Sequence, residues 1–298
     1  MTVQETLAEG KKLLESPSTA SFIDTPSLDA ALLLAEILHV NRSELIARGN
    51  EITAEEDREK FLRLIERRKS GECVAYILGR REFRGLEFSV NSHVLVPRPD
   101  TETLVEAALE YIDSLRGQGQ NLSLLDLCTG SGALAISLKN ECPFVCITAA
   151  DISSPALETA RLNAARLLDT RFADGQRNSV RFIQSDLFEK IDSKFRIIVS
   201  NPPYVPSGDL PALAPEVRRE PRLALDGGKD GLELIRKIIT QTPEYLLPGG
   251  VLLLEADAGQ MSDIRALLET HGFTGVRIHK DLTGRDRVIS GKLAVAKV

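Results

Sequence analysis

The sequence is short of three things, and each shortage removes a class of protein. Cysteine is scarce: Cys73, Cys128, Cys142 and Cys146 are the four in 298 residues, only the last two lie close together, and no histidine accompanies them. A disulfide framework or a zinc site needs clustered ligands at fixed spacing, so buried free thiols in a reducing compartment are expected, and no metal. Long apolar runs are missing too. Nothing approaches the roughly 20 residues that a membrane span requires. Met1 to Lys12 also lack the basic, then apolar, then small-residue order of a secretory signal, so a cytoplasmic protein without membrane association is expected. Finally there is no excess of positive charge: 37 Lys and Arg stand against 43 Asp and Glu, a net charge of -6. Proteins that hold nucleic acid usually offer a basic face to the phosphates, so the balance favours a protein partner, although a local basic patch remains compatible with RNA.

What is present suits a globular chain. Hydrophobic residues make up 43% and charged residues 27%, enough to bury a core and stay in solution, and the length suggests two domains. Residues 1–81 read as helices. Leu28, Ala31, Leu32, Ala35 and Leu38 recur at helical spacing after Ser27. Thr53 with Glu56 fits a capping box opening a helix whose inward face is Phe61, Leu62 and Ile65, with Arg67, Arg68 and Lys69 before Gly71. From Glu82 to Val96, Phe83, Leu86, Phe88, Val90, Val94 and Val96 alternate with polar residues around Gly85 and Asn91, as in a hairpin. Residues 82–97 are therefore expected to link the helical part to a second domain, 98–298. Pro97-Arg98-Pro99 ends the hairpin, a helix runs from Asp100 to about Leu115, and Gly117-Gln118-Gly119 makes a turn. Beyond it, the apolar runs Leu124–Leu127, Val145–Ala149, Val180–Ile183, Ile197–Val199 and Val251–Leu254 alternate with helical segments. That alternation implies an α/β fold, a parallel sheet covered by helices, with ligands at the carboxyl ends of its strands. Two strand candidates after Gly275 suit an antiparallel edge pair.

Directly after the first run come Cys128, Thr129, Gly130, Ser131 and Gly132, leading into the helical Ala133 to Lys139. Glycines at a strand-to-helix turn let the backbone approach a ligand, and Gly130 to Ala135 also fit the dinucleotide fingerprint, so a nicotinamide cofactor stays open at this point. Asp151 ends the second run, where a carboxylate can accept from ribose hydroxyls, although it can equally cap the helix that follows. Asp186 and Leu187 follow the third run, where an adenine edge could sit. The fourth run ends in Asn201-Pro202-Pro203-Tyr204. Consecutive prolines fix φ and remove two N–H groups, so the segment is a stiff set of acceptors. The Asn201 side-chain oxygen and the Pro202 carbonyl can take the two N–H groups of a flat NH2 and hold its nitrogen against an electrophilic methyl, with Tyr204 against the acceptor's face. This chemistry stops at an amide or an amine.

Matching segments run through nearly the whole chain: Ala75 to Gly79, Phe83 to Phe88, Val94 to Glu102, Asp126 to Gly132, Ser200 to Tyr204 and Asp226 to Leu232. In these the chain resembles the HemK/PrmC family, the N5-glutamine methyltransferases of peptide-chain release factors. The resemblance implies a Rossmann-like, seven-stranded class I methyltransferase domain using S-adenosyl-L-methionine, joined through the hairpin to a small helical domain that engages the release factor. It also implies methylation of the glutamine in a Gly-Gly-Gln loop. By motif, Cys128 to Gly132 would wrap the cofactor's amino-acid end, Asp151 its ribose, Asp186 and Leu187 its adenine, and Asn201 to Tyr204 the glutamine. Cys128 stands where family members often have glycine, and Leu254 to Gln260 departs from the commoner Leu-Glu-Ile-Gly form. Competing readings are a ribosomal-protein glutamine methyltransferase, a methyltransferase for nucleic-acid exocyclic amines, and a non-catalytic nucleotide-binding module.

Overall fold

The structure, a computed structural model, describes residues 1–16, 23–116, 122–168 and 179–294. The turn expected at Gly117-Gln118-Gly119 lies outside them. Backbone proximity divides the chain into two units, Met1–Arg80 with Ala212–Arg219, and Arg81–Pro211 with Glu220–Val298.

The first unit is built from α1 (Val3–Leu14), α2 (Pro26–Leu38), α3 (Arg42–Ala47), α4 (Glu55–Lys69) and α5 (Val74–Leu78). Leu14, Leu33, Leu34, Leu45, Phe61 and Ile65 form its core. Capping boxes open α1 at Thr2 with Glu5 and α3 at Asn41 with Glu44. The one expected at Thr53 with Glu56 does not form. Ala54 is the N-cap of α4, because Thr53 is buried, with its N–H on the Met1 carbonyl and its hydroxyl against that of Thr6 at 3.3 Å. On α2 the buried residues are Asp29, Ala30, Leu33, Leu34 and Ala35, a face rotated from the expected one. Its middle is apolar all round, so period alone cannot choose a side. Burial of Asp29 against Arg68, at 2.7 Å, chooses it. Arg68 also pairs with Glu216 at 2.6 Å, which gives the buried guanidinium two carboxylates.

The second unit opens with a hairpin, β1 (Arg80–Phe83) and β2 (Leu86–Ser89). Arg84 and Gly85 both have positive φ, 52° and 72°, as a two-residue turn between twisted strands demands. The hairpin ends earlier than the alternation suggested. The Asn91 side chain accepts the His93 N–H at 2.9 Å and bends the chain, so Val90, Val94 and Val96 are buried from a loop. Then follow α6 (Glu102–Leu115), β3 (Ser123–Leu127), α7 (Ala133–Glu141), β4 (Cys146–Asp151), α8 (Ser154–Leu167), β5 (Val180–Gln184), β6 (Phe195–Ser200), α9 (Glu233–Tyr245), β7 (Leu246–Glu255), α10 (Met261–Thr270), β8 (Phe273–Lys280) and β9 (Asp286–Leu293). The strand order is β5-β4-β3-β6-β7-β9-β8. The first five strands are parallel, and β9 runs antiparallel between β7 and β8.

Strand residues alternate between two cores, as the pleat requires. Leu124, Ile197, Val199, Val251 and Leu253 meet Leu104, Ala108, Ile112, Leu134 and Leu138 on one face. Leu125, Leu127, Ile198, Leu252 and Leu254 meet Ile235, Ile238, Ile239, Ile264 and Leu268 on the other. Among the cysteines only Cys142 is buried and Cys146 is exposed, a correction to the expectation for that pair: residue 146 starts β4, before the strand is covered. Among the described residues, no helix is long and apolar enough to cross a membrane.

Candidate functional site

Register brings the sequence motifs to one edge. Leu127 pairs with Ala150 and Ser200, Asp151 with Gln184, and Ser200 with Leu254. Cys128, Asp151, Ser185, Asn201 and Glu255 therefore stand at the carboxyl ends of adjacent parallel strands. The order reverses about β3, and a crevice opens outside the strand ends at such a switch point. A cavity of about 1060 Å³ lies there.

Its first wall is the loop after β3. Cys128, Gly130 and Gly132 all have positive φ, 61°, 56° and 81°. A Cβ on Gly130 would meet nothing within 4 Å, whereas one on Gly132 would lie 2.8 Å from Ile136 and 3.2 Å from Ala160. Gly130 thus borders open space, and Gly132 is a packing glycine at the start of α7 that does not line the cavity. Cys128, Thr129, Gly130 and Ser131 do. Asp151 shapes this wall: one oxygen accepts the Gly130 N–H at 2.8 Å and the other the Ser153 N–H at 2.9 Å. Each oxygen keeps a lone pair for a ligand. Burial raises the Asp151 pKa and pushes the Cys128 thiol up, so that thiol stays protonated. Asp126, 1% exposed, lines the cavity beneath the loop. Its Oδ2 accepts the Thr129 hydroxyl at 2.6 Å, while Oδ1 is buried without a partner. Burial holds its carboxyl up to about 7.

Exposed Asp186 and buried Leu187, the latter with φ 46°, line the next part. Asn201 and Pro203 line the far side, whereas Pro202 and Tyr204 do not. Tyr204 packs against the second core, and its hydroxyl donates to Glu255 Oε1 at 3.4 Å. Asn201 Nδ2 donates to Thr101 Oγ1 at 3.2 Å, which leaves Asn201 Oδ1 as an acceptor. The prolines alone do not hold this segment still. Val205 bridges to Asp226 as a parallel strand pair, the Gln260 amide donates to the Tyr204 carbonyl at 3.0 Å, and the Ser207 N–H to the Gly228 carbonyl at 2.8 Å.

Several site residues carry no signal in a local pattern. Glu220, 4% exposed, accepts the Val96 N–H at 3.1 Å and pairs with Arg98, anchoring the Pro97 turn that lines the cavity. Asn163 is fully buried and joins the hairpin to the cofactor loop, its amide donating to the Ser89 and Ser131 carbonyls at 3.0 Å each. Thr101 and Glu255 lie inside the segments Val94 to Glu102 and Leu254 to Gln260, so resemblance could have flagged them, but the bonds of Thr101 to Asn201 and of Glu255 to Tyr204 could not be read from it.

The donor set suits a nucleoside with a charged amino-acid end. The cavity has a glycine wall open to a ligand, a buried carboxylate oxygen without a partner at Asp126, a second carboxylate at Asp151 and apolar Leu187. Residues 5–79 match the family described as PrmC N-terminal domain, and residues 106–215 the family described as Methyltransferase small domain. The chain is 43% identical to the release factor glutamine methyltransferase of Neisseria gonorrhoeae over 90% of its length and 93% of that protein's. With the release factor glutamine methyltransferase of Burkholderia pseudomallei it shares 40% over 93% and 97%. Among solved structures, a methyltransferase from Pyrococcus furiosus superposes with a TM-score of 0.51 at 20% identity, over 72% of this chain and 91% of that one, a likeness of fold.

Proposed function

This chain belongs to the family of release factor glutamine methyltransferases, and on that premise we propose that Asn201, Pro202, Pro203 and Tyr204 hold the acceptor glutamine while Cys128 to Gly132, Asp151, Asp186 and Leu187 hold the cofactor. The enzyme transfers a methyl group from S-adenosyl-L-methionine to the side-chain amide nitrogen of a release-factor glutamine. S-adenosyl-L-methionine supplies an electrophilic methyl on a sulfonium. The chain's own residues must make a poor nucleophile react. An amide lone pair is delocalised, and positive charge grows on the nitrogen as it attacks. Asn201 Oδ1 and the Pro202 carbonyl, as two fixed acceptors, favour that charge more in the transition state than in the ground state. They also aim the nitrogen, and orientation of this kind supplies up to roughly 7 to 11 kcal/mol. When the cofactor binds, Asp126 would take its ammonium, Asp151 would accept from its ribose and Leu187 would pack against its adenine. Pro202 and Tyr204 act from behind the cavity wall, through backbone carbonyl and packing.

The observation that carries this reading is the Asn201 amide, whose nitrogen is held by Thr101 and whose oxygen is left to accept, on the same cavity as the open Gly130 wall. The acceptor we propose is the glutamine of a Gly-Gly-Gln loop, the partner a protein, and the place of action the cytoplasm. Incubation with release factor and methyl-labelled cofactor, followed by peptide mapping, should place label on that glutamine. Asn201→Ala should abolish the label. Label elsewhere, or label retained in the variant, would overturn the assignment.

A further inference from the structure

Asn163 sits on α8 with no exposed surface, and the bonds of its amide all leave its own helix. Its Oδ1 accepts the Ser89 N–H at 2.8 Å, and one Nδ2 proton returns to the Ser89 carbonyl at 3.0 Å. The amide thus pairs with both backbone groups of the last residue of β2, as a neighbouring strand would. An amide has a second proton to give, and it goes to the Ser131 carbonyl at 3.0 Å, inside the loop that follows β3. The same peptide is pinned at its other end by the Gly132 N–H on the Thr129 carbonyl at 2.9 Å. Ser131 stands between Gly130 and Gly132, at φ 56° and 81°, and glycine turns at little steric cost. Local chain stiffness therefore does not fix this peptide plane, and the bond from Asn163 does.

Resting on the assignment of Cys128 to Gly132 to the cofactor, we propose that Asn163 is a positioning residue for cofactor binding, which turns the Ser131 carbonyl into the protein and joins that wall of the site to the hairpin through one amide. Without the bond, the glycine-flanked peptide samples both directions. Only the fraction with its carbonyl turned inward then offers the wall described above, and the apparent affinity falls by that fraction. Coupling of this kind is reciprocal. A cofactor that selects the pinned loop also holds Asn163 in place, and so protects the Ser89 N–H, although Ser89 does not line the cavity. Thr159, one turn earlier on the same face of α8 and 3% exposed, gives a comparison. It takes the Asn91 amide at 3.0 Å and donates to the Pro155 carbonyl at 3.2 Å, so it anchors the end of the hairpin without a bond to the loop.

Three measurements on the full-length protein test this. In wild type with S-adenosyl-L-methionine at about 100 times its Kd, amide hydrogen exchange should slow at least about tenfold at Ser89 as well as at Gly130 and Ser131. Asn163→Leu keeps the branched outline of the side chain and none of its bonds. It should weaken the Kd and KM of the cofactor about 10- to 100-fold, while kcat with release factor at saturating cofactor stays within about threefold of wild type. Thr159→Val also loses a buried bond from α8 to the hairpin, and should lower the melting temperature but leave the cofactor Kd within about threefold. A Ser89 amide indifferent to the cofactor while the loop amides slow would overturn the proposal. So would Asn163→Leu with the cofactor Kd of wild type, or Thr159→Val weakened as much as Asn163→Leu, since that marks lost packing against α8 and not the tie to Ser131. If Asn163→Leu does not fold, the exchange measurement on wild type decides alone. A wild-type protein that binds the cofactor without slowing Gly130 and Ser131 refutes the assignment of the loop, and the proposal falls with it.

Discussion

Gly227→Ala should slow methyl transfer on the order of 100-fold without a matching loss of cofactor affinity. Gly227 has no left-handed φ, so its backbone would accept alanine, and the obstacle is space alone. An added Cβ would stand 2.6 Å from the Gly231 carbonyl oxygen, 2.8 Å from the Pro203 carbonyl oxygen and 2.8 Å from Tyr204 Cα. Ordinary contact begins at 3.4 Å, so these atoms must part by about 0.6 to 0.8 Å, within the range where rotamer changes cannot help and overpacking costs roughly 1 to 3 kcal/mol. All three are backbone. The side that carries Asn201-Pro202-Pro203-Tyr204 is held by the Val205 to Asp226 bridge and the Gln260 bond to the Tyr204 carbonyl, so the strain falls on the acceptor segment. A misplacement of about 1 Å costs on the order of 100-fold in an oriented reaction. Steady-state kinetics with release factor, calorimetry with S-adenosyl-L-methionine and a melting curve separate the contributions. The expected result is a kcat loss of that order, cofactor affinity within about threefold, and a melting temperature lower by several degrees. A kcat within threefold of wild type in a folded variant would refute the idea that Gly227 sets the position of the acceptor segment.

Three further outcomes follow from buried groups. Arg68→Ala strands Asp29 and Glu216 and should cost about 3 to 5 kcal/mol, read by denaturant unfolding. An equally stable variant would mean the pair adds nothing. Asp126 is held up to about 7 by burial, so the folded protein keeps a proton that the unfolded chain releases above about 4. The stability this contributes is present below pH 4 and lost as pH rises through 7. Relative to wild type, ligand-free Asp126→Asn should therefore gain up to roughly 4 kcal/mol at pH 8, at 1.36 kcal/mol per pH unit, and little at pH 4, while binding cofactor more weakly. A variant whose stability advantage is flat between those values contradicts the burial argument. Gly132→Ala puts a Cβ on a residue at φ 81° and 2.8 Å from Ile136. Calorimetry should show cofactor binding weakened at least tenfold, and unchanged binding would free the start of α7 from this role.

Much of the catalytic unit could be read directly. The five apolar runs are the five parallel strands to within a few residues: β3, β4, β6 and β7 are buried on both faces over most of their length and so are apolar there, while β5, at the sheet's edge, is half-buried. Pro97-Arg98-Pro99 marks the start of α6 because proline fixes φ. The loop from Cys128 to Gly132 and the segment from Asn201 to Tyr204 stand out for the same local reason, as conformations that glycine and proline write into the chain. The failures are also local inferences, overruled at a distance. Thr53 had the right spacing for a cap but is drawn to Met1 and Thr6, and the face of α2 is set by Arg68, 39 residues away.

By itself, then, the sequence determined the order of elements, the two motifs and their chemistry, since these depend on neighbours along the chain. Only the tertiary structure decided what those motifs lean on. Register carries Glu255 to Asn201 across 54 residues, folding brings Thr101 to that same amide, and Gly227 gives up its side chain so that Pro203 and Tyr204 can lie against it. Each of these depends on distances between segments remote in sequence, which are set by strand pairing and the exclusion of water from the core, and no pattern along one segment can carry them.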